Sequence, residues 1–305
     1  MAISARPYQG ETDLRRIQAA TAEWIASAGF LGYMNVSDIA LRLFNGMRRY
    51  QPNEIVRLWE DDAGEVIGWA MAYPGWSSFE VLLRPDFRQS QLADDIIDWA
   101  ERETISQMTR AGLDSAFIRL DVFDGDSTRI DLLERRGYTR GNQSGTISIC
   151  SLEQPLPPVQ LPTGFSIRSL QGTHEADKLV SITSDSFGWT WTVEACQQIM
   201  CSPGYDVENE WVVVAPDGRF AASSILLPDV HNRTVMFENV GTGRDVRRLG
   251  LAKAMLIAGM ERMKTRGFTM AMVPHGAGLE AAAALYASVG FRPAYTLIEY
   301  TRPVK

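Results

Sequence analysis

The spacing of apolar and polar residues along the chain predicts short strands and amphipathic helices that recur as two similar series. An apolar run over 55–59, a polar turn at Asp61, Asp62, Ala63 and Gly64, and a second run over 66–73 predict a hairpin. Residues 211–214, the turn Pro216-Asp217-Gly218 and residues 220–227 predict its counterpart. A helical pattern precedes each hairpin, over 12–27 and over 175–187, and another follows, over 92–108 and 249–266. In the later pair Leu92, Ile96, Trp99 and Ile105, or Leu251, Met255, Ala258 and Met263, share one side at helical spacing. The helix over 249–266 carries Arg262, Lys264 and Arg266 in its last turns, where the helix dipole favours cations, and stops at Gly267. A strand over 268–273 and a helix over 280–289, ending at Gly290-Phe291, complete the second series.

The two series also open alike. Ile3-Ser4-Ala5-Arg6-Pro7-Tyr8-Gln9-Gly10 returns as Phe165-Ser166-Ile167-Arg168-Ser169-Leu170-Gln171-Gly172, a repeat at half the chain length. Between the copies, residues 153–163 hold four prolines (Pro155, Pro157, Pro158 and Pro162), which favour an extended linker over a packed element. At 305 residues the chain exceeds what one core usually organises. These features predict a first domain over 1–152, a linker over 153–163 and a second domain over 164–305.

Chemistry concentrates in one stretch of the second domain. Residues 237–252 read as a β-branched strand running through a glycine-bearing loop into a helix, which aims the free N–H groups of a helix N-terminus at whatever occupies the loop. In Arg247-x-x-Gly250-x-Ala252, small residues let an anion approach the main chain while Arg247 and Arg248 add positive charge. The first series has Arg88-Gln89-Ser90-Gln91-Leu92-Ala93 at this place, with Gln91 where the glycine should be. Its closing helix, Leu132-Leu133-Glu134-Arg135-Arg136-Gly137-Tyr138, has Leu133 where the second series has Tyr286.

Arg247 to Ala252 together with Leu285-Tyr286-x-x-x-Gly290-Phe291 resemble the GCN5-related N-acetyltransferase (GNAT) family: the first looks like its pyrophosphate loop, the second like its closing helix. The resemblance implies an α/β (α+β) chain of two tandem GNAT folds, each a mixed, mostly antiparallel central sheet flanked by helices. It implies an acetyl-CoA-dependent N-acetyltransferase that moves acetyl to a primary amine by direct attack in a ternary complex. The acetyl-CoA would be held by the main chain of Arg247, Arg248, Leu249, Gly250, Leu251 and Ala252. The strand end Val240, Gly241 and Thr242 would face the pantetheine arm, with the N–H near Val240 polarising the carbonyl. Tyr286, at the family's tyrosine position, would be the acid that protonates the departing thiolate. Glu238, two residues before Val240 and so on the same face of a regular strand, is the candidate base or ammonium ligand. The family's asparagine seven residues before the tyrosine is Leu279 here, after His275-Gly276-Ala277-Gly278; His275 reads as a loop residue exposed to water, with a substitute polar group near the cleft as the alternative. Trp189, Trp191 and Tyr205 fall in the segment that walls the acceptor site. Trp59, Trp69, Trp76 and Trp99 of the first series read as core or domain-interface residues.

The tandem layout resembles the mycothiol synthase group, with one working copy: the first domain keeps the fold and loses the acetyl-CoA chemistry. Mycothiol synthase itself is the second enzyme reading, and a non-catalytic acyl-CoA sensor or scaffold is a third, from another class. Composition narrows the partners. A net charge of −7 argues against a nucleic-acid grip and suits a cationic small-molecule amine. Three cysteines and three histidines without ligand spacing predict neither a disulfide framework nor a metal. No apolar run reaches membrane length and the first residues start no signal peptide, so the expected compartment is the cytoplasm and the expected partners include no membrane. The strand over 291–301 reads as an exposed edge able to pair between domains or chains.

Overall fold

The computed structural model describes residues 2–45 and 50–304, so Met1 and Lys305, the outer bounds of the two predicted domains, lie outside it. In chain order the elements of the first half are β1 (Ser4–Pro7), α1 (Glu11–Ala28), α2 (Val36–Asn45), α3 (Pro52–Ile55), β2 (Val56–Glu60), β3 (Val66–Tyr73), β4 (Ser78–Leu83), α4 (Gln91–Arg110), β5 (Phe117–Phe123), α5 (Ser127–Arg135) and β6 (Thr139–Ser151). The second half follows with β7 (Ser166–Ser169), α6 (Ala176–Phe187), α7 (Val193–Met200), β8 (Glu210–Val214), β9 (Phe220–Asp229), β10 (Thr234–Thr242), α8 (Leu251–Thr265), β11 (Met270–Gly276), α9 (Glu280–Ser288) and β12 (Arg292–Pro303).

The chain forms two compact units, but these are not the two sequence halves. Unit 1 is Met1–Gly145 with Tyr295–Lys305; unit 2 is Thr146–Ala294. The predicted boundary at 152 therefore moves to 145, and the last strand, predicted for the second domain, belongs with the first. The reason lies in β6 and β12, whose 13 and 12 residues each run from one unit into the other. Reading elements in chain order assigns a strand to the half that encodes it, whereas the fold assigns it to the strands it bonds. Residues 297–303 pair antiparallel with β5, so the stretch read as an exposed edge is flanked within unit 1. The proline-rich segment 153–163 forms neither helix nor strand, as predicted, but Leu156 and Leu161 pack on the core of unit 2.

In unit 1, β1-β2-β3-β4 form an antiparallel sheet. β3 is buried at all eight positions because helices cover both faces, which is why its sequence is a continuous apolar run. α1 and α2 pack on one face around Trp69 and Met71; α4 packs on the other around Ile67 and Ala70. Trp59, Trp69 and Trp99 are core residues, but Trp76 is 51% exposed in the turn between β3 and β4, with its ring 5.4 Å from that of Tyr73.

Unit 2 repeats the plan. β7-β8-β9-β10 are antiparallel, β10 and β11 run parallel, and the unit-2 part of β6 follows β11. α8 and α9 cover one face with Leu251, Met255, Met260, Met263 and Tyr286; α6 and α7 cover the other with Leu179, Ile182, Cys196 and Met200. The helix predicted over 249–266 starts two residues later, because Arg248 and Gly250 both take left-handed backbone (φ 65° and 80°) before the first helical residue, Leu251.

Candidate active site

β10 and β11 pair through residues 234–236 and 270–272, and both then continue as strands, β10 to Thr242 and β11 to Gly276. On its other side β10 stays with β9, opposing Glu238 to Ile225 and Gly241 to Ser223. Three steps on β10 thus answer two on β9: the strand carries a bulge at Asn239 and Val240, with Asn239 in left-handed backbone (φ 54°). This corrects the reading that put Glu238 and Val240 on one face by simple alternation, because the bulge breaks the period of two between them. The bulge also turns main-chain groups out of the ladder. That leaves N–H groups available on the strand end where a carbonyl oxygen would need them.

The loop after β10 is exposed from Arg247 to Gly250. Gly250 caps α8 without a side chain, and the helix's first main-chain bond runs from the Ala254 N–H to the Gly250 carbonyl at 2.9 Å. A Cβ built at Gly250 meets nothing within 4 Å, so the space above this helix start is open. An open cradle, a helix N-terminus and two exposed arginines fit a pyrophosphate group. Arg247 leans back on the loop, Nε to the Thr242 carbonyl at 3.4 Å.

Tyr286 projects from α9 into the α8-side core and is 6% exposed. Burial, and then the negative charge of Glu238, push its phenol up to about 12. The structure therefore brings these two predicted residues into each other's field, although 48 positions of sequence separate them. Glu238 itself is half-buried, and its carbonyl accepts a hydrogen bond from Ser224 Oγ at 2.9 Å. His275 departs from its reading as an exposed loop residue: it ends β11, is half-buried, and lies 5.8 Å from the Tyr286 ring. Leu279 is the N-cap residue of α9 and makes no side-chain cap, so the helix start has lost the polar side chain that would satisfy it.

The aromatic segment forms a stack at the end of α6. Phe187 and Trp189 rings lie 4.8 Å apart and Trp189 and Trp191 rings 5.3 Å apart, both nearly parallel. The stack reaches the bulged strand, since a Cβ at Gly241 would sit 2.8 Å from the Phe187 ring; glycine there is what lets α6 approach β10. Tyr205 does not join the stack. Its hydroxyl donates to Glu210 Oε2 at 3.0 Å. Glu210 is a residue that reading the sequence missed: it is buried at the start of β8, and burial pushes its carboxyl up to about 7. The only available signal was a glutamate leading an apolar strand, Glu210-Trp211-Val212-Val213-Val214, a pattern that more often marks a strand end in water.

Residues 176–291 match the sequence profile described as the acetyltransferase (GNAT) family. The second half of the chain is a GNAT-family acetyltransferase domain. The family's fold also covers the rest: the GCN5-related N-acetyltransferase from Sphaerobacter thermophilus superimposes with a TM-score of 0.66 at 19% identity, over 99% of this chain and 95% of that one. A tandem GNAT protein from the clavulanic acid biosynthesis pathway gives 0.68 at 13% identity over 99% and 98%. In sequence, the chain is 23% identical to the mycothiol acetyltransferase of Saccharomonospora viridis over 265 residues, 80% of this chain and 81% of that protein. It is also 23% identical to that of Segniliparus rotundus over 279 residues, 84% and 98%. The tandem GNAT fold thus extends over the whole chain, and the acetyltransferase family match falls on its second half. Acetyl-CoA is the donor this family generally uses.

Proposed function

We propose that this GNAT enzyme transfers the acetyl group of acetyl-CoA to the primary amine of a small molecule, that unit 2 does so by direct attack in a ternary complex, and that unit 1 no longer binds the donor. The observation that carries the reading is the bulge after Glu238 on β10, the strand that leads into the open loop of Gly250, together with the nearness of Glu238 to Tyr286 that lets its charge raise the phenol. Bound there, acetyl-CoA would supply an acetyl thioester. The main chain of Arg247, Arg248, Leu249, Gly250, Leu251 and Ala252 would hold its pyrophosphate, and Val240, Gly241 and Thr242 would present N–H groups to the arm and carbonyl.

Glu238 accepts the proton of the incoming ammonium, directly or through water, which frees the nitrogen lone pair. Tyr286 keeps its proton throughout the neutral range. Full transfer from a phenol at about 12 to a thiolate with a pKa of about 8.5 is uphill by roughly 5 kcal/mol, so the phenol acts first as a hydrogen-bond donor to developing negative charge. Glu238 eases the later transfer. Once it has taken the amine's proton, the negative charge that held the Tyr286 proton in place is gone, and the phenol becomes a stronger acid when an acid is needed. Trp189 and Trp191, with Tyr205 beyond them, wall the acceptor side of this reading.

The experiment is thiol release from acetyl-CoA against a panel of primary amines, with Glu238→Gln and Tyr286→Phe beside the wild type. Release without any amine dependence, or release unaffected by both substitutions, overturns the reading. A narrower reading, that the chain is a mycothiol synthase, is supported by the two mycothiol acetyltransferases, whose likeness spans both halves. Its test is restoration of mycothiol in a strain lacking its own mycothiol acetyltransferase. No described helix is long and apolar enough to cross a membrane, and the proposal puts the reaction in the cytoplasm.

A further inference from the structure

Opposed residues on neighbouring strands share a face of the sheet, and the register of unit 2 lines up Glu210 on β8, Ile225 on β9 and Glu238 on β10 in one such row. The next row on the same face is Val212, Ser223 and Gly241. This is the face covered by α6 and α7, onto which Phe187 packs at Gly241.

Unit 1 supplies an internal control. Its register aligns Val56, Met71 and Glu80 in the row equivalent to Glu210, Ile225 and Glu238, and Leu58, Trp69 and Leu82 in the next. The fold therefore accepts a fully buried valine where unit 2 has Glu210, and a fully buried tryptophan where unit 2 has Ser223. Neither polar residue is demanded by packing. Both carry a penalty instead: among the described residues no cation pairs with Glu210, whose partner is the Tyr205 hydroxyl, and none offers a hydrogen bond to the buried Ser223 Oγ. A carboxyl and a hydroxyl kept at a cost, on the face of the candidate base and respectively two strands and one strand from it, mark a binding surface.

We propose that Glu210, steadied by Tyr205, is a specificity-determining residue of the acceptor site and accepts a hydrogen bond from a hydroxyl or second amino group of the amine substrate. This rests on the acetyl-transfer reading above and names the class of acceptor: a polyhydroxylated or diamino compound rather than a plain alkylamine. Two strand spacings separate Glu210 from Glu238, roughly 9.5 Å. Two hydrogen bonds of about 2.8 Å, one to each carboxylate, leave roughly 4 Å or more between the donors, the width of one aminosugar ring. Tyr205 takes one lone pair of the Glu210 carboxylate; a carboxylate has about four.

The test uses two amines of equal ring size, D-glucosamine and cyclohexylamine, titrated calorimetrically into full-length protein saturated with coenzyme A, which cannot react. Wild type is expected to bind glucosamine at least tenfold more tightly than cyclohexylamine. Glu210→Val, which copies Val56 of unit 1, should bring the two within about twofold while leaving the affinity for coenzyme A intact and the protein folded, with a melting temperature at or above that of wild type at neutral pH. Glu210→Gln, which keeps the shape and an acceptor oxygen, should retain part of the preference. A wild type that does not distinguish the amines, or a valine variant that keeps the full preference, overturns the proposal. Failure of the acetyl-transfer reading shows separately, as absence of coenzyme A binding in the wild type.

Discussion

Units 1 and 2 share a plan, and they differ at the strand that would meet the donor. Unit 1 keeps a glutamate, Glu80, at the register position of Glu238, yet its β4 pairs with β3 without a break from Ser78 to Leu83. β10 is bulged at that point. In unit 1 two arginines stand near Glu80: the Arg129 guanidinium, which donates to the Val81 carbonyl, and Arg42, which binds Asp38 at 2.6 Å. Burial raises the Glu80 carboxyl's pKa even with Arg42 and Arg129 beside it. The loop arginine Arg88 is likewise paired internally, to Asp126 at the start of α5, whereas Arg247 and Arg248 of unit 2 are exposed. A glutamate at the same register position thus sits in two different surroundings. What distinguishes unit 2 is the bulge and the exposure of its loop arginines.

That contrast can be broken or sharpened by measurement. Removing the candidate base should have the largest effect: Glu238→Gln should lower kcat by about 10³-fold at neutral pH, within the range for a general base, while Glu80→Gln leaves kcat within twofold. Equal losses from both would mean that unit 1 takes part in the chemistry. Next comes a pH-dependent stability difference at Glu210. Its folded-state pKa, about 7, lies above the ordinary glutamate value of 4.5, so the group favours folding fully below pH 4.5 and progressively less up to pH 7. Glu210→Gln should therefore match wild type near pH 4 and exceed it by about 3 kcal/mol at pH 8, read from denaturant unfolding at both values. A constant difference across that window would place the raised pKa elsewhere.

Tyr286→Phe should lower kcat by roughly 10- to 100-fold with the KM for acetyl-CoA within twofold, since the phenol's part is proton donation. Gly250→Val should do the reverse, raising that KM about tenfold, because a β-branched residue at a φ of 80° strains the loop. The smallest effect is a null result with content. Gln91→Gly together with Leu133→Tyr restores both lost motif residues to unit 1, and calorimetry should still count one acetyl-CoA site per chain, because β4 lacks the bulge. A second site would show that side chains alone had been missing.

Motif spacing made the loop-to-helix turn and the closing helix legible in the sequence: Gly250 is the cap of α8 and Tyr286 lies within α9. The bulge was not legible, since Asn239-Val240 looks like any stretch of strand and its left-handed residue is not a glycine. Glu210 was hidden for a different reason. Its meaning comes from the register with Ile225 and Glu238, and cross-strand register is a long-range property that local patterns do not encode. The domain boundary failed similarly, because β6 and β12 bond to strands remote in sequence.

The passage of β6 and β12 from one unit to the other bears on how this gene can change. Unit 2 needs residues 146–151, encoded ahead of the proline-rich segment, and unit 1 needs residues 295–303, encoded at the far end. No single cut in the coding sequence yields two complete folds. The two units are thus inseparable as heritable parts: a fragment cut at either boundary leaves each without part of a strand.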